Sequence, residues 1–86
     1  MNKIWSLEEI SKKVSEVVAD ILDVKAEEVT PQAFFKENLD IDTKLPLFSF
    51  LLFEIENVFS IAFEFNEMEK LFTVQDLITL VNEKIN

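Results

Sequence analysis

Two hydroxyl residues flank the entrance to the most apolar stretch of the chain, Asp42-Thr43-Lys44-Leu45-Pro46-Leu47-Phe48-Ser49. As nucleophiles they would need a base, and the sequence contains no His, which removes the usual general base and the Ser-His relay. There is no Cys, so thiolate chemistry and disulfides are excluded. The absence of Gly excludes phosphate-cradling loops, which need backbone freedom beside the anion. The carboxylates do not compensate. Glu54 and Glu56, two apart on a helix, point to different faces and form no hydrolytic acid–base pair. Glu27-Glu28 and Asp40 with Asp42 can attract a divalent cation only loosely, lacking the ligand count and the Gly of a calcium loop. They read as a solvated acidic face, and no metal site is expected. A hydrolase or transferase in its own right is therefore disfavoured.

The whole chain is 86 residues and 10.0 kDa, which fits one domain over residues 1–86. A chain this short buries only about 60–65% of its unfolded surface, but 49% hydrophobic residues and nine Phe suffice for a core. Seventeen acids against eight Lys give a net charge of −9. Such a chain is repelled by nucleic acid and by anionic membrane. Residues 1–6 hold no apolar leader run and no stretch reaches membrane-spanning length, so a cytoplasmic protein without membrane insertion is expected.

Helical signals locate the elements. Ser6-Leu7-Glu8-Glu9 is a capping-box pattern, with Trp5 and Ile10 placed as a hydrophobic staple. Ile10, Val14, Val17, Val18 and Ile21 recur at helical spacing, which predicts a first helix from Leu7 to Leu22. Residues 23–45 lose the period. Thr30-Pro31 predicts a short helical turn there, and Val24, Val29, Phe34, Phe35, Leu39 and Ile41 must pin the rest of this long loop. Pro46 suits the first position of a second helix ending near Phe59, although Leu45 offers no capping acceptor. Asn66-Glu67-Met68-Glu69 predicts a short turn capped by Asn66, and Thr73-Val74-Gln75-Asp76 caps a last helix. The expected fold class is all-α, a four-helix bundle of three main helices and a short one, with a long first loop.

In this order and at these spacings the segments resemble an acyl carrier protein. Asp23-Val24-Lys25-Ala26-Glu27-Glu28-Val29-Thr30 resembles the family's turn after helix one, and Phe34-Phe35-Lys36-Glu37-Asn38-Leu39 its loop motif. Glu54-Ile55-Glu56-Asn57-Val58-Phe59 resembles the end of its second helix, and residues 69–78 its entry to the last helix. The resemblance implies a Ser, after an Asp at the start of helix two, that carries 4′-phosphopantetheine. It implies that a phosphopantetheinyl transferase attaches this arm from coenzyme A with magnesium, and that the arm's thiol presents acyl or aminoacyl thioesters to acyl-transfer and biosynthetic enzymes. Here the pattern breaks. Counting forward from Leu39, the family's Ser falls on Thr43; counting back from Phe59, it falls on Leu45, a two-residue insertion. Thr43 is the lead attachment candidate and Ser49 the runner-up, the latter expected to bond a backbone carbonyl inside the helix. Three readings stay open: a loaded carrier, an unmodified docking module, and a Thr43 that is only a loop residue.

The resemblance also implies that helix two docks partners. Leu51, Leu52, Ile55 and Phe59 would face the core, and Pro46, Ser49, Phe50, Phe53 and Glu56 the partner, with Phe48 as a further contact. A helix apolar all round is normally buried, and a domain this small has one inside. The surplus aromatics must pack under the long loop, meet a cognate enzyme, or meet a second copy of the chain as a homodimer.

Overall fold

The computed structural model describes residues 4–86. Of the amino-terminal stretch expected to carry no leader, residues 1–3 lie outside the described residues. The architecture is the expected all-α bundle: α1 (Leu7–Leu22), α2 (Pro46–Phe59), α3 (Phe65–Met68) and α4 (Val74–Ile85), with a 3-10 turn at Ala26–Glu28. α1 packs against both α2 and α4.

Local hydrogen bonds set the helix starts. The Ser6 hydroxyl accepts the Glu9 amide at 3.1 Å while Glu9 accepts the Ser6 amide at 3.0 Å. Thr73 and Asp76 repeat the arrangement ahead of α4, both bonds at 3.0 Å. Each box satisfies amide donors that the helix itself leaves unpaired. Trp5 sets its ring edge-on against Phe59, centroids 4.8 Å apart, and so ties the entry of α1 to the end of α2. The short helix departs from expectation. Its cap is Glu64, whose amide donates to Glu67 Oε1 at 2.8 Å, and Asn66 lies inside α3. Two residues in the first connection differ as well: the helical turn forms at Ala26–Glu28, and Thr30-Pro31 makes only a tight turn, closed by Ala33 N–H on the Thr30 carbonyl at 3.0 Å.

A chain without Gly must still turn corners. Asp23, Asp40 and Ser60 occupy the left-handed region, each with φ of 56°. Asp23 and Ser60 end α1 and α2 there, the place where Gly is usual because it has no Cβ to clash. Asp tolerates this region better than most residues; Ser60 has less excuse.

The long loop is pinned as expected, by burial and by backbone bonds. Val29, Ala33, Phe35, Leu39 and Ile41 all enter the core, whereas Phe34 stays exposed. Phe35 N–H donates to the Phe72 carbonyl at 2.9 Å and Val74 N–H to the Ala33 carbonyl at 3.0 Å, an isolated bridge that fastens the loop to the start of α4. Ser15 Oγ adds a bond to the Val29 carbonyl at 3.3 Å from α1. The loop is thus a wall of the core, and it holds residues 40–45 against the entrance of α2.

Candidate functional site

Residues 42–45 fold into a separate turn. Leu45 N–H donates to the Asp42 carbonyl at 3.0 Å, and Asp42 Oδ1 accepts the Lys44 amide at 2.9 Å. This is the side-chain-to-backbone bond for which Asp is favoured at turns. α2 starts only at Pro46, with Leu45 as a cap that has no side-chain bond. Thr43 therefore sits half-buried in the turn, ahead of the helix rather than on its first residue. Pro46 contributes no amide to the helix terminus, which weakens that end as an anion site.

Ser49 corrects an expectation. It lies one turn into α2 and is exposed, and among the described residues its hydroxyl makes no hydrogen bond to a backbone carbonyl. The α2 face carrying it turns toward α3 and the α3–α4 connection. Thr43 and Ser49 consequently line one cavity of about 590 Å³, together with Lys44, Phe48, Leu52, Phe65, Met68, Glu69 and Phe72. That volume falls in the ~300–1,000 Å³ range of small-molecule sites. Neither Phe65 nor Phe72 stands out in the sequence as a site residue. Their exposure at the cavity mouth, from a four-residue helix and a loop, leaves no periodic signal to read.

The predicted partner face divides. Leu51, Leu52, Ile55 and Phe59 are buried as expected. Phe50 and Phe53 are 52% and 55% exposed, and with half-exposed Leu47 they form a stripe spaced three residues apart, one helix turn at a time. Phe48 does not join them. It is 2% exposed, and its ring meets Phe35 edge-on at 5.0 Å, so the long loop claims this aromatic for the core. Glu56 is half-buried, and its Oε2 accepts the Phe63 amide at 2.7 Å. It thereby holds the α2–α3 loop while remaining half-exposed. The loop therefore covers one of the surplus aromatics and leaves two uncovered.

Few charges act at this site. Between Lys44 and Glu54 no residue is charged. Behind α3, Lys84 Nζ pairs with Glu67 Oε1 at 2.8 Å. The Lys84 hydrogen bond, helped by the Glu64 amide, holds the Glu67 carboxyl below the usual glutamate range, and the same bond raises Lys84. This pair latches the back of the cavity wall to α4. Among the described residues no cluster of three or more carboxylates is placed to hold a metal ion, and no helix is long and apolar enough to cross a membrane.

No family model matches the chain. Curated relatives do. The chain is 38% identical over 79 residues to an acyl carrier protein of Petrotoga mobilis, covering 92% of this chain and 91% of that one. It is 41% identical over 76 residues to an acyl carrier protein of Rubrobacter xylanophilus, covering 88% and 91%. Among solved structures, an acyl carrier protein from Enterococcus faecalis shares the fold with a TM-score of 0.75 and 24% identity, over 93% of this chain and 99% of that one. With that identity sustained over nearly the whole length of both chains, this chain belongs to the acyl carrier protein family.

Proposed function

We propose that this chain is a working carrier whose 4′-phosphopantetheine arm is esterified to Thr43, with Ser49 as the second candidate. As a family member it is a carrier, not an enzyme. The observation that carries the proposal is the shared cavity: a half-exposed Thr43 and an exposed Ser49 open onto one apolar pocket beside α2. The donor set fits the group, since among the described residues neither the Thr43 nor the Ser49 hydroxyl is engaged in a hydrogen bond. When bound, the arm supplies a thiol that holds acyl or aminoacyl groups as thioesters. The chain's own residues do the rest. Asp42 fixes the turn that presents Thr43, and Lys44 puts a cation next to the position of the phosphodiester. The test is an intact mass after incubation with coenzyme A, magnesium and a broad-specificity phosphopantetheinyl transferase. One phosphopantetheine adduct supports the carrier, and an unchanged mass with competent transferases removes it.

Partners in this reading are acyl-transfer and biosynthetic enzymes of a cytoplasmic pathway, met through Leu47, Phe50 and Phe53. Burial of one large aromatic contributes about 1.5–3 kcal/mol, against about 0–1 kcal/mol for a screened surface ion pair. Docking is then apolar in origin.

A second reading has its own support. Thr43 has moved off the helix terminus and is a secondary alcohol, which crowds attack on a pyrophosphate; an unmodified docking module is what remains if no transferase accepts it. A homodimer through α2 alone is the weaker form of that reading. Two half-exposed Phe rings offer about 200 Å², well short of the ~800 Å² per partner of a stable interface.

A further inference from the structure

A phosphate group at Thr43 lacks most of the support that a helix terminus gives an anion. That support comes from backbone amides the helix leaves undonated. Here Lys44 N–H is donated to Asp42 Oδ1 at 2.9 Å and Leu45 N–H to the Asp42 carbonyl at 3.0 Å. Phe48 and Ser49 donate to the Leu45 carbonyl at 3.0 and 3.5 Å, and Pro46 has no N–H to give. From Lys44 to Ser49, only the Leu47 amide makes no bond among the described residues. The nearby charges oppose an anion as well. Asp42 adjoins Thr43 in sequence, Glu69 lines the same cavity, and the whole chain carries −9. Lys44 runs against this trend. Among the described residues lining the cavity it is the one cation, it is exposed, and it makes no ion pair. No other charge follows it before Glu54. Thr43 and Lys44 both line the cavity, so their side chains lie on one side of the turn although they are consecutive.

We propose that Lys44 is the anion-binding residue of the attachment site: its ammonium holds the phosphodiester at Thr43 in place of the helix amides, and draws the pyrophosphate of coenzyme A to that hydroxyl during loading. The inference rests on the carrier reading above and names the residue that offsets the lost helix terminus. Loading forms the bond from Thr43 Oγ1 to the pantetheine-bearing phosphorus and breaks that phosphorus's bond to the bridging oxygen. Adenosine 3′,5′-bisphosphate leaves with the bridging oxygen, and the hydroxyl proton passes to a base of the transferase. Coenzyme A thus brings negative charge to an acidic chain, and a cation one residue from the nucleophile offsets it. A Lys ammonium suits the task, being a point charge on a flexible stem with three donors. As an exposed pair its effect is modest and screened by salt.

The test compares the full chain with Lys44→Gln and Lys44→Arg, using coenzyme A, magnesium and the broad-specificity transferase. At low salt Lys44→Gln lowers kcat/KM for loading about twofold to fivefold, through the KM for coenzyme A, and Lys44→Arg restores it. At about 500 mM salt the three proteins load alike. In the loaded chains, the phosphodiester 31P resonance of Lys44→Gln is displaced from that of the parent at low salt, and that of Lys44→Arg is not. A double-mutant cycle needs no transferase. Thr43→Glu places a carboxylate beside Lys44, and urea denaturation of this variant, Lys44→Gln and the pair together gives a favourable coupling of about 1.5-fold to fivefold in the folding constant. The proposal is overturned if Lys44→Gln loads like the parent at low salt, if its 31P resonance matches the parent's, or if the cycle shows no coupling. A chain that loads without regard to Lys44 removes this role alone. A chain that never loads removes the attachment reading and this role with it.

Discussion

Asp42 Oδ1 accepts the Lys44 amide at 2.9 Å, and this bond helps close residues 42–45 into a turn ahead of α2. The turn stands apart from α2: Thr43 lies ahead of the helix terminus, Leu45 is the cap, and Thr43 lines the cavity beside α2 and α3.

The nine Phe residues have been sorted by packing, and stability measures the sorting. Phe48 is sealed against Phe35, so Phe48→Ala costs about 3–5 kcal/mol, a large share of what so small a domain possesses. Phe50→Ala and Phe53→Ala fall within about 0.5 kcal/mol of the parent, because both rings already stand half in water. Urea denaturation of the three variants decides it. Equal losses at Phe48 and Phe50 would mean that the loop does not cover the helix as described.

Ser60 ends α2 in the left-handed region at φ 56° without the relief that Gly would bring. Ser60→Gly removes the Cβ clash, worth about 1–2 kcal/mol, against a Gly entropy cost of about 0.5–1 kcal/mol. The variant is expected to melt a few degrees higher. Asp23→Gly gains less, since Asp is itself tolerant of this conformation. Calorimetry on the pair checks the order, and a lower melting temperature for Ser60→Gly contradicts it.

The Glu67–Lys84 latch makes α3 sensitive to pH in a defined direction. The folded Glu67 pKa lies below its unfolded value, so its contribution is complete above the ordinary glutamate range and is lost as pH falls through the folded value. Lys84 is raised, so its contribution is present below the ordinary lysine range and is lost as pH rises through the folded value. Resonances of Met68 at the cavity are therefore steady at neutral pH and move in acid, below the ordinary glutamate range. In Lys84→Met the acid transition moves up towards the ordinary glutamate pKa. An unmoved transition shows that the pair does not hold α3.

Much of this fold could be read from the sequence, for a local reason. The Ser6–Glu9 and Thr73–Asp76 boxes join residues three apart, and the stripe of Ile10, Val14 and Val18 has one period, so neighbours in sequence carried the information. Asn66 carries a cap signal, but Glu64 and Glu67 form the competing box a little upstream. The partner face was harder. α2 is apolar nearly all round, so periodicity could not separate Phe48 from Phe50; only the loop residue Phe35, distant in sequence, makes the distinction. The same holds for the cavity, whose walls come from three segments, and for Glu56, whose bond to Phe63 follows from how the chain returns after α2.

An apolar docking stripe responds weakly to salt. Affinity for a cognate acyl-transfer enzyme is expected to change less than about threefold between 50 and 300 mM salt, since screening acts on charge pairs and not on buried rings. Phe50→Glu is expected to weaken it at least tenfold, the loss of most of one buried aromatic. A steep salt dependence, or a Phe50→Glu variant that binds like the parent, contradicts docking through this stripe.

The central claim concerns one oxygen atom, and mass spectrometry of three proteins addresses it directly. After treatment with coenzyme A, magnesium and the transferase, the parent chain and Ser49→Ala are expected to gain one phosphopantetheine, and peptide mapping to place it on Thr43. Thr43→Val, which keeps the shape of the side chain and removes the hydroxyl, is expected to gain none. An adduct that persists in Thr43→Val, or a parent chain whose mass does not change, contradicts the account.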